Sequence, residues 1–456
     1  MISTGFKQEN LNQMIPEQIQ NNNYRSDVIQ SRVVRRILPT GTNQDIGPNA
    51  SVSIEFKTSR EWVDASTARV HMKVVVPEAS NGTAAPTPNC PQFKPGGARN
   101  IIKGYNIVSK GQSLENSVDS GTSALQHWNW LQSRLFEPLE KNITSAQLTT
   151  GAWAVQNKNY YYNSGRISGG EVIYDLSFPL SDVVQFFKLK RCYLPFFAIP
   201  IDLKIETNSS GNVFFNQSAA GTATEIAEYK IKDLYITADF LEMDDALNNE
   251  FMKSVNNGSV SFIYPSVYLK SGTISSGTLA DKSSLNFSNV QSAFISFTDV
   301  SNKINNYYPA CCVPSLYDVK TLQGVNYNMY IDSVPVLSQY INTPSEHYAE
   351  LIKCCKNERE KYLESTPNIS TLGFLNGNTS TNVTNRVEDI ACNPIGINLS
   401  RELNNFSLSG VDLTSVAGNI DLDISGIPGG AQKSWVLAFH LIKELRLEKE
   451  MLRVIN

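Results

Sequence analysis

The sequence predicts an all-β chain made of two consecutive β-sandwich units, and three observations carry that reading. Apolar residues recur at period two in one run after another, which sets one face of each strand on a core and the other toward polar surroundings. Only 18% of the 456 residues are charged, against about 25% in an ordinary soluble domain. Asn, Ser and Thr, with 27 Gly, 19 Tyr and 20 Phe, make up the difference; this is the vocabulary of strands and long polar loops. Finally, the same succession of strand, polar loop and long strand closes each half of the chain.

The elements follow in order. Residues 1–39 are Asn/Gln-rich with a late cluster of Arg25, Arg32, Arg35 and Arg36. They read as an arm that becomes ordered against a partner, with DNA or anionic lipid headgroups as candidate contacts for the arginines. From Ser51 the period becomes two: Val52, Ile54 and Phe56 alternate with polar residues, then Val70, Met72, Val74 and Val76 do the same. His71 falls on the outward face, a solvated position and not that of a metal ligand. Residues 77–97, rich in Pro, Gly, Asn and Thr, read as a loop. Leu125, Trp128, Leu131 and Leu135 recur at helical spacing.

Further on, Ile201, Leu203 and Ile205 alternate, as do Leu234, Ile236, Ala238 and Phe240. Asp244 stands where it can cap a short helix carrying Leu247 and Phe251. Val260, Phe262 and Tyr264 open a new alternating run. A second helix is signposted by Thr343-Pro344-Ser345-Glu346, a capping box with proline at the first helical position. Its stripe is Tyr348, Leu351, Ile352, Cys355, Arg359 and Tyr362, with Cys355 on the buried side. Ile420, Leu422 and Ile424 alternate, a Gly/Pro loop follows, and Trp435, Leu437, Phe439 and Leu441 alternate in turn. The end of the chain reads as strand, turn and short strand. The halves are therefore 40–243 and 244–456, and the link between them is too short for a flexible tether.

Composition excludes several classes of function. Lys plus Arg is 39 and Asp plus Glu is 43, for a net charge of −4. Neither a nucleic-acid coat driven by global charge nor a polyacidic tail has that balance. Mean hydropathy is −0.24, and no run approaches the ~18 apolar residues of a spanning helix. The N-terminus lacks the charged-then-apolar layout of a cleaved signal, so secretion by that route is not expected. Seven cysteines, among them the vicinal pairs Cys311-Cys312 and Cys354-Cys355, show no metal-ligand spacing and read as free thiols of a reducing compartment. His71, His127, His347 and His440 are scattered. N-x-S/T triplets such as Asn81-Gly82-Thr83 and Asn142-Ile143-Thr144 are expected by chance in so Asn-, Ser- and Thr-rich a chain.

Three stretches carry a resemblance: SVSIEFKTSREWVDASTARVHMKVVV (51–76), the junction YKIKDLYITADFLEMDDALNNEFMKSVNNGSVSFIYP (229–265), and the closing NIDLDISGIPGGAQKSWVLAFHLIKEL (419–445). With two units of equal length behind a polar arm, the chain resembles the double jelly-roll major capsid proteins of the adenovirus, virophage and Polinton (adintovirus-like) lineage. The likeness is one of pattern over nearly the whole chain. It implies two consecutive eight-stranded jelly-roll sandwiches with short inserted helices. It also implies a homotrimer acting as a pseudo-hexagonal capsomer, contacts with neighbouring capsomers and a minor (penton) protein, and a place in the virion shell assembled inside the host cell. The arm would meet DNA, an internal membrane or a neighbour. No cofactor and no small-molecule substrate are implied.

Catalytic constellations are not found in the sequence. No GxSxG elbow and no phosphate-cradling glycine loop occurs. Asp421 and Asp423 project from one side of a strand, the arrangement of jelly-roll glycosidases. No aromatic residue alternates with them to stack a sugar, so they read as the polar face of a half-buried strand. Trp62, Trp128, Trp130, Trp153 and Trp435 read as core or interface anchors. A glycan- or receptor-binding β-sandwich is the alternative from another class.

Overall fold

The computed structural model describes residues 29–41, 45–77, 91–93, 97–117, 124–135, 165–168, 171–188, 193–217, 223–224, 228–275, 277–299, 324–362, 394–400, 410–414, 419–427, 432–449 and 451–455. The first half contributes β1 (Ile29–Ile37), β2 (Ser51–Phe56), β3 (Trp62–Pro77), β4 (Pro91–Phe93), β5 (Ile102–Ser109) and β6 (Gln112–Asn116). After helix α1 (Ala124–Leu135) come β7 (Gly165–Ser168), β8 (Glu171–Pro179), β9 (Tyr193–Leu194) and β10 (Ile201–Thr207). The short β11 (Phe214–Gln217) and β12 (Ala223–Thr224) precede β13 (Lys230–Met243). Helix α2 (Asp245–Asn257) leads to the second half, with β14 (Val260–Ile274), β15 (Gly277–Ser284), β16 (Val290–Asp299), β17 (Asn326–Ile331) and β18 (Val334–Pro335). Helix α3 (Pro344–Tyr362) is followed by β19 (Ile395–Asn398), β20 (Asn419–Ile427), β21 (Lys433–Glu448) and β22 (Met451–Ile455).

Pairing among these strands is antiparallel and repeats itself. In the first half one sheet runs β1-β13-β3-β8 and continues to β7, while the other runs β2-β10-β5-β6. In the second half the sheets run β14-β21-β16-β19 and β15-β20-β17-β18. Matched from first strand to last, the two orders are the same. Apart from the hairpins β5-β6 and β17-β18, successive strands of these eight-stranded paths cross between the two sheets of each sandwich, which is jelly-roll connectivity. The same correspondence equates α1, after β6, with α3, after β18. Extra strands decorate each roll: β9 on β3, β22 on β21, and a small sheet of β12, β11 and β4.

Alternation forms the core as expected. Val52, Ile54 and Phe56 are buried, as are Val70, Met72, Val74 and Val76, Ile201, Leu203 and Ile205, and Ile420, Leu422 and Ile424. Leu247 and Phe251 bury the stripe of α2. The buried apolar side chains of both rolls form one contiguous cluster. Helix α2 is fixed to each side of it: the Trp62 indole donates to Asn248 Oδ1 at 2.8 Å and meets the Phe251 ring at 4.9 Å, while Lys449 N–H donates to Val255 O at 3.0 Å. The chain ends as strand, turn and short strand, with Lys449 at φ 48° in the turn.

Four expectations are corrected. Residues 29–37, expected as the end of the arm, form β1, the edge strand of the first roll, paired along β13 from Met243 to Ile236. Residues 29–37 therefore belong to a sheet of the first roll, ahead of residue 40. Residues 77–97, expected as a loop, contain β4. Asp244 stands at the N-cap of α2 without a side-chain cap bond; it accepts instead from Gln30 Nε2 at 3.4 Å. His71 is half-buried and not solvated: its ring stacks on Tyr235 at 4.8 Å and its Nε2 bonds the Thr237 hydroxyl at 2.8 Å.

Candidate functional site

The two rolls meet along a surface that lies inside the chain. Strand β6 and helix α1 of the first roll carry it. Trp128, buried on the helical stripe, sets its ring edge-to-face with His440 at 4.9 Å and 6.0 Å from Phe294 of the second roll. His127, one residue earlier, hydrogen-bonds the Ser296 hydroxyl. In the middle of β6 the Leu114 carbonyl accepts from Tyr264 Oη at 2.8 Å and from Lys443 Nζ at 3.4 Å. Phe186, on the turn Gln185–Lys188, meets the Tyr264 ring at 5.0 Å. Because this material covers it, the sheet of the second roll is buried on both sides: Val436, Ala438, His440 and Ile442 are as buried as Trp435, Leu437, Phe439 and Leu441.

Glu115 sits in the middle of this seam. Its Oε2 accepts the Phe186 N–H at 2.9 Å, and its Oε1 accepts from Tyr105 Oη at 3.0 Å and, across the seam, from Ser266 Oγ at 3.5 Å. Burial pushes its carboxyl up to about 7, although the Phe186 N–H, Lys443 and Tyr105 pull the other way. Burial likewise lowers Lys443.

Among the described residues, the matching face of the first roll has no such cover. Strand β1 has the place of β14, yet Val33 and Val34 are 47% and 65% exposed, and Leu38 just beyond is also exposed. A cavity of ≈ 360 Å³ opens beside Val34, walled by Ser66, Thr67, Arg69, Pro179 and Thr237. Among the described residues, the other large exposed apolar side chains are Met252 on α2, and Val334 and Tyr340 near β18.

The arginines expected to make contacts are partly accounted for. Arg25 lies outside the described residues. Arg32 donates through Nε to Asp239 at 2.7 Å, which holds it more firmly protonated. Arg35 donates to Glu61 at 2.7 Å and lies over the Phe240 ring, and Arg36 covers Tyr235 at 4.7 Å. All three are on the exposed edge strand.

Asp421 and Asp423 flank Leu422 on the outward face of β20. Asp421 pairs with Lys282 at 3.6 Å. Asp423 accepts from Tyr340 Oη at 2.7 Å, which accepts in turn from Tyr330 Oη at 2.9 Å. Aromatic neighbours therefore reach this pair from β17 and a loop, which a reading along β20 alone missed. Cys354 and Cys355 are buried and not in a disulfide, and burial raises the Cys354 thiol; Cys311 and Cys312 lie outside the described residues. Among the described residues no group of His, Cys, Asp and Glu is disposed to hold a metal ion, and no helix is long and apolar enough to cross a membrane. Trp62, Trp128 and Trp435 are anchors; Trp153 and the Trp130 side chain lie outside the described residues. Neither Glu115 nor the pair Val33-Val34 has a local signal in the sequence, because each is defined by what a distant segment does or does not lay over it.

No protein-family profile matches the sequence, and no curated protein matches it. Solved structures do. The chain is similar to the Faustovirus major capsid protein at TM-score 0.59 and 10% identity, covering 94% of this chain and 92% of that one. It is similar to a capsid chain of PBCV-1 at TM-score 0.56 and 10% identity, over 96% and 99%. The mavirus major capsid protein aligns at TM-score 0.55 and 11% identity, over 93% and 92%. With the two matched strand orders, these likenesses establish that the chain has the double jelly-roll fold of viral major capsid proteins.

Proposed function

We propose that this chain is the major capsid protein of a double-stranded DNA virus or virus-like element, three copies of which form a pseudo-hexagonal capsomer that tiles an icosahedral shell. The observation that carries the reading is the unequal cover of two equivalent sheets. Inside the chain, β6 and α1 of the first roll cover the β14-β21-β16 face of the second. The corresponding β1-β13-β3 face has exposed Val34 beside an open cavity and Leu38 just beyond the strand, and Val33 is exposed on the other side of the same edge strand. Near β18, which corresponds to β6, Val334 and Tyr340 are exposed. A second copy that lays this part of its second roll on β1 repeats the internal contact. Such a contact is heterologous, so it closes into a ring only if the rotation allows. Two rolls per chain and a step of one sixth of a turn close the ring at three chains.

In this reading the molecule is structural and not an enzyme, and it works by presenting sides to its neighbours. A low charged fraction with abundant Tyr and Phe suits a protein that buries several sides, and double-sheet rolls limit the exposed strand edges that would otherwise aggregate. Arg32, Arg35 and Arg36 belong to the contact between copies, and inner-surface contact with DNA or a membrane falls to the arm around Arg25. A separate minor protein completes the vertices. Light scattering after size exclusion tests the central claim: the wild type should have three times the 50.6 kDa chain mass, and Val34→Glu combined with Val334→Glu should return it to a single chain. A wild type that stays single at micromolar concentration, with no particles in the electron microscope, would reject the proposal.

A further inference from the structure

We propose that Glu115 is a proton-operated latch between the two rolls: protonating its carboxyl tightens the internal seam, and ionising it loosens the seam. The inference goes beyond the capsid reading and does not depend on it.

The geometry is that of a carboxyl group placed where the two rolls meet. Glu115 is 1% exposed, and it is held from both sides, by Tyr105 and the Phe186 N–H of the first roll and by Ser266 of the second. The groups facing it are few. Strand β5 supplies Tyr105, β14 supplies Tyr264 and Ser266, and β21 supplies Lys443. The Lys443 ammonium donates to the neighbouring Leu114 carbonyl at 3.4 Å. Strand β22, also beside β6, carries Arg453, which is exposed. A neutral carboxyl suits this dry site because it brings no charge to desolvate, and its unprotonated oxygen keeps its acceptor bonds. A carboxylate there is short of water, and the nearest route to water is separation of β6 from β14 and β21.

The sign follows from the raised value of about 7, against about 4.3 for an unstructured glutamate. The folded seam binds the proton more tightly than the opened one. Its contribution is therefore complete below about 4.3 and is lost as the pH rises through 7. Over that range the equilibrium for opening changes by up to several hundred-fold.

Amide hydrogen exchange of the full chain between pH 5.5 and 8.5, corrected for intrinsic exchange rates, tests the latch. The expected result is a loss of protection with rising pH at residues 114–116 and 264–267, with residues 201–207 unchanged. Glu115→Gln should flatten that dependence and hold the seam closed at pH 8.5. Equal pH dependence in the wild type and the variant, or none in the wild type, would overturn the proposal. Should the variant fail to fold, infrared titration of wild-type protein carrying ¹³C-carboxyl glutamate decides the matter. One buried protonated glutamate with a midpoint near neutrality supports the latch, and complete ionisation of every glutamate below pH 6 refutes it.

Discussion

Strands β1 and β14 open the two rolls and occupy the same place in their sheets, but they live in opposite surroundings. Val260, Phe262 and Tyr264 of β14 are buried, and Tyr264 reaches across to the other roll. On β1, Val33 and Val34 are exposed and the flanking positions carry arginines. The strand orders are identical, so topology does not cause the difference. It comes from what each roll is given to lean on. The chain covers its second roll with its first, and among the described residues nothing covers the first in the same way. A fold that repeats itself once thus has one sheet covered from within the chain and its counterpart exposed among the described residues.

The largest expected effect breaks this contrast directly. Truncating Tyr264 to alanine removes a fully buried ring and its bond to Leu114, and should cost about 3–5 kcal/mol of chain stability, the range for large aromatic truncations. Val34→Ala, at the equivalent strand, should change the stability of the dilute chain by less than about 0.5 kcal/mol. Urea unfolding of both variants checks the pair; equal losses would mean that β1 is covered in solution by the chain itself.

The two helices that follow β6 and β18 give a second contrast. Helix α1 reaches across the seam through His127 and Trp128. Helix α3 stays on its own roll, where Leu351 and Cys354 lie over Gly396 of β19. A Cβ on Gly396 would stand 3.0 Å from Leu351 Cδ1, 3.1 Å from Cys354 Sγ and 3.2 Å from the Leu351 Cα. The last of these is backbone and gives way only if the helix moves. Gly396→Ala should therefore cost about 1–3 kcal/mol, as overpacked cores do. The same urea unfolding measures that loss, and hydrogen exchange should localise it to α3 and β19 while the seam around Tyr264 keeps its protection.

Much of this was legible in the sequence, and the limits have physical causes. Period-two runs located the strands with one buried face, Val52 to Phe56 and Ile420 to Ile424 among them, because a half-buried strand writes its environment into alternate residues. The stretch IQSRVVRRI hid β1, since an edge strand exposed on both faces has no reason to alternate. Strand β21 showed only half its pattern: Trp435 to Leu441 read as one face, while Val436 to Ile442 are buried by the other roll. Asp421 and Asp423 were read correctly as an outward pair, but Tyr330 and Tyr340 come from another strand and a loop. What the sequence could not display is everything decided by long-range contact, Glu115 above all.

The smallest effect concerns how α3 begins. Glu346 N–H donates to Thr343 Oγ1 at 3.3 Å, and the Thr343 hydroxyl donates to Glu346 Oε2 at 3.0 Å. This keeps one half of the capping box and replaces the other, since the glutamate takes the hydroxyl proton and not the Thr343 N–H. Thr343→Ala should cost about 1 kcal/mol, with protection lost at residues 345–347 alone. Thr343→Ser retains both bonds and should stay near wild type. Helix α1 has no part in this cap, so its protection, and with it the seam, should be unmoved in both variants. Fraying that spread from α3 to α1 would show the two helices to be coupled through the shared core, and the rolls to unfold as a single unit.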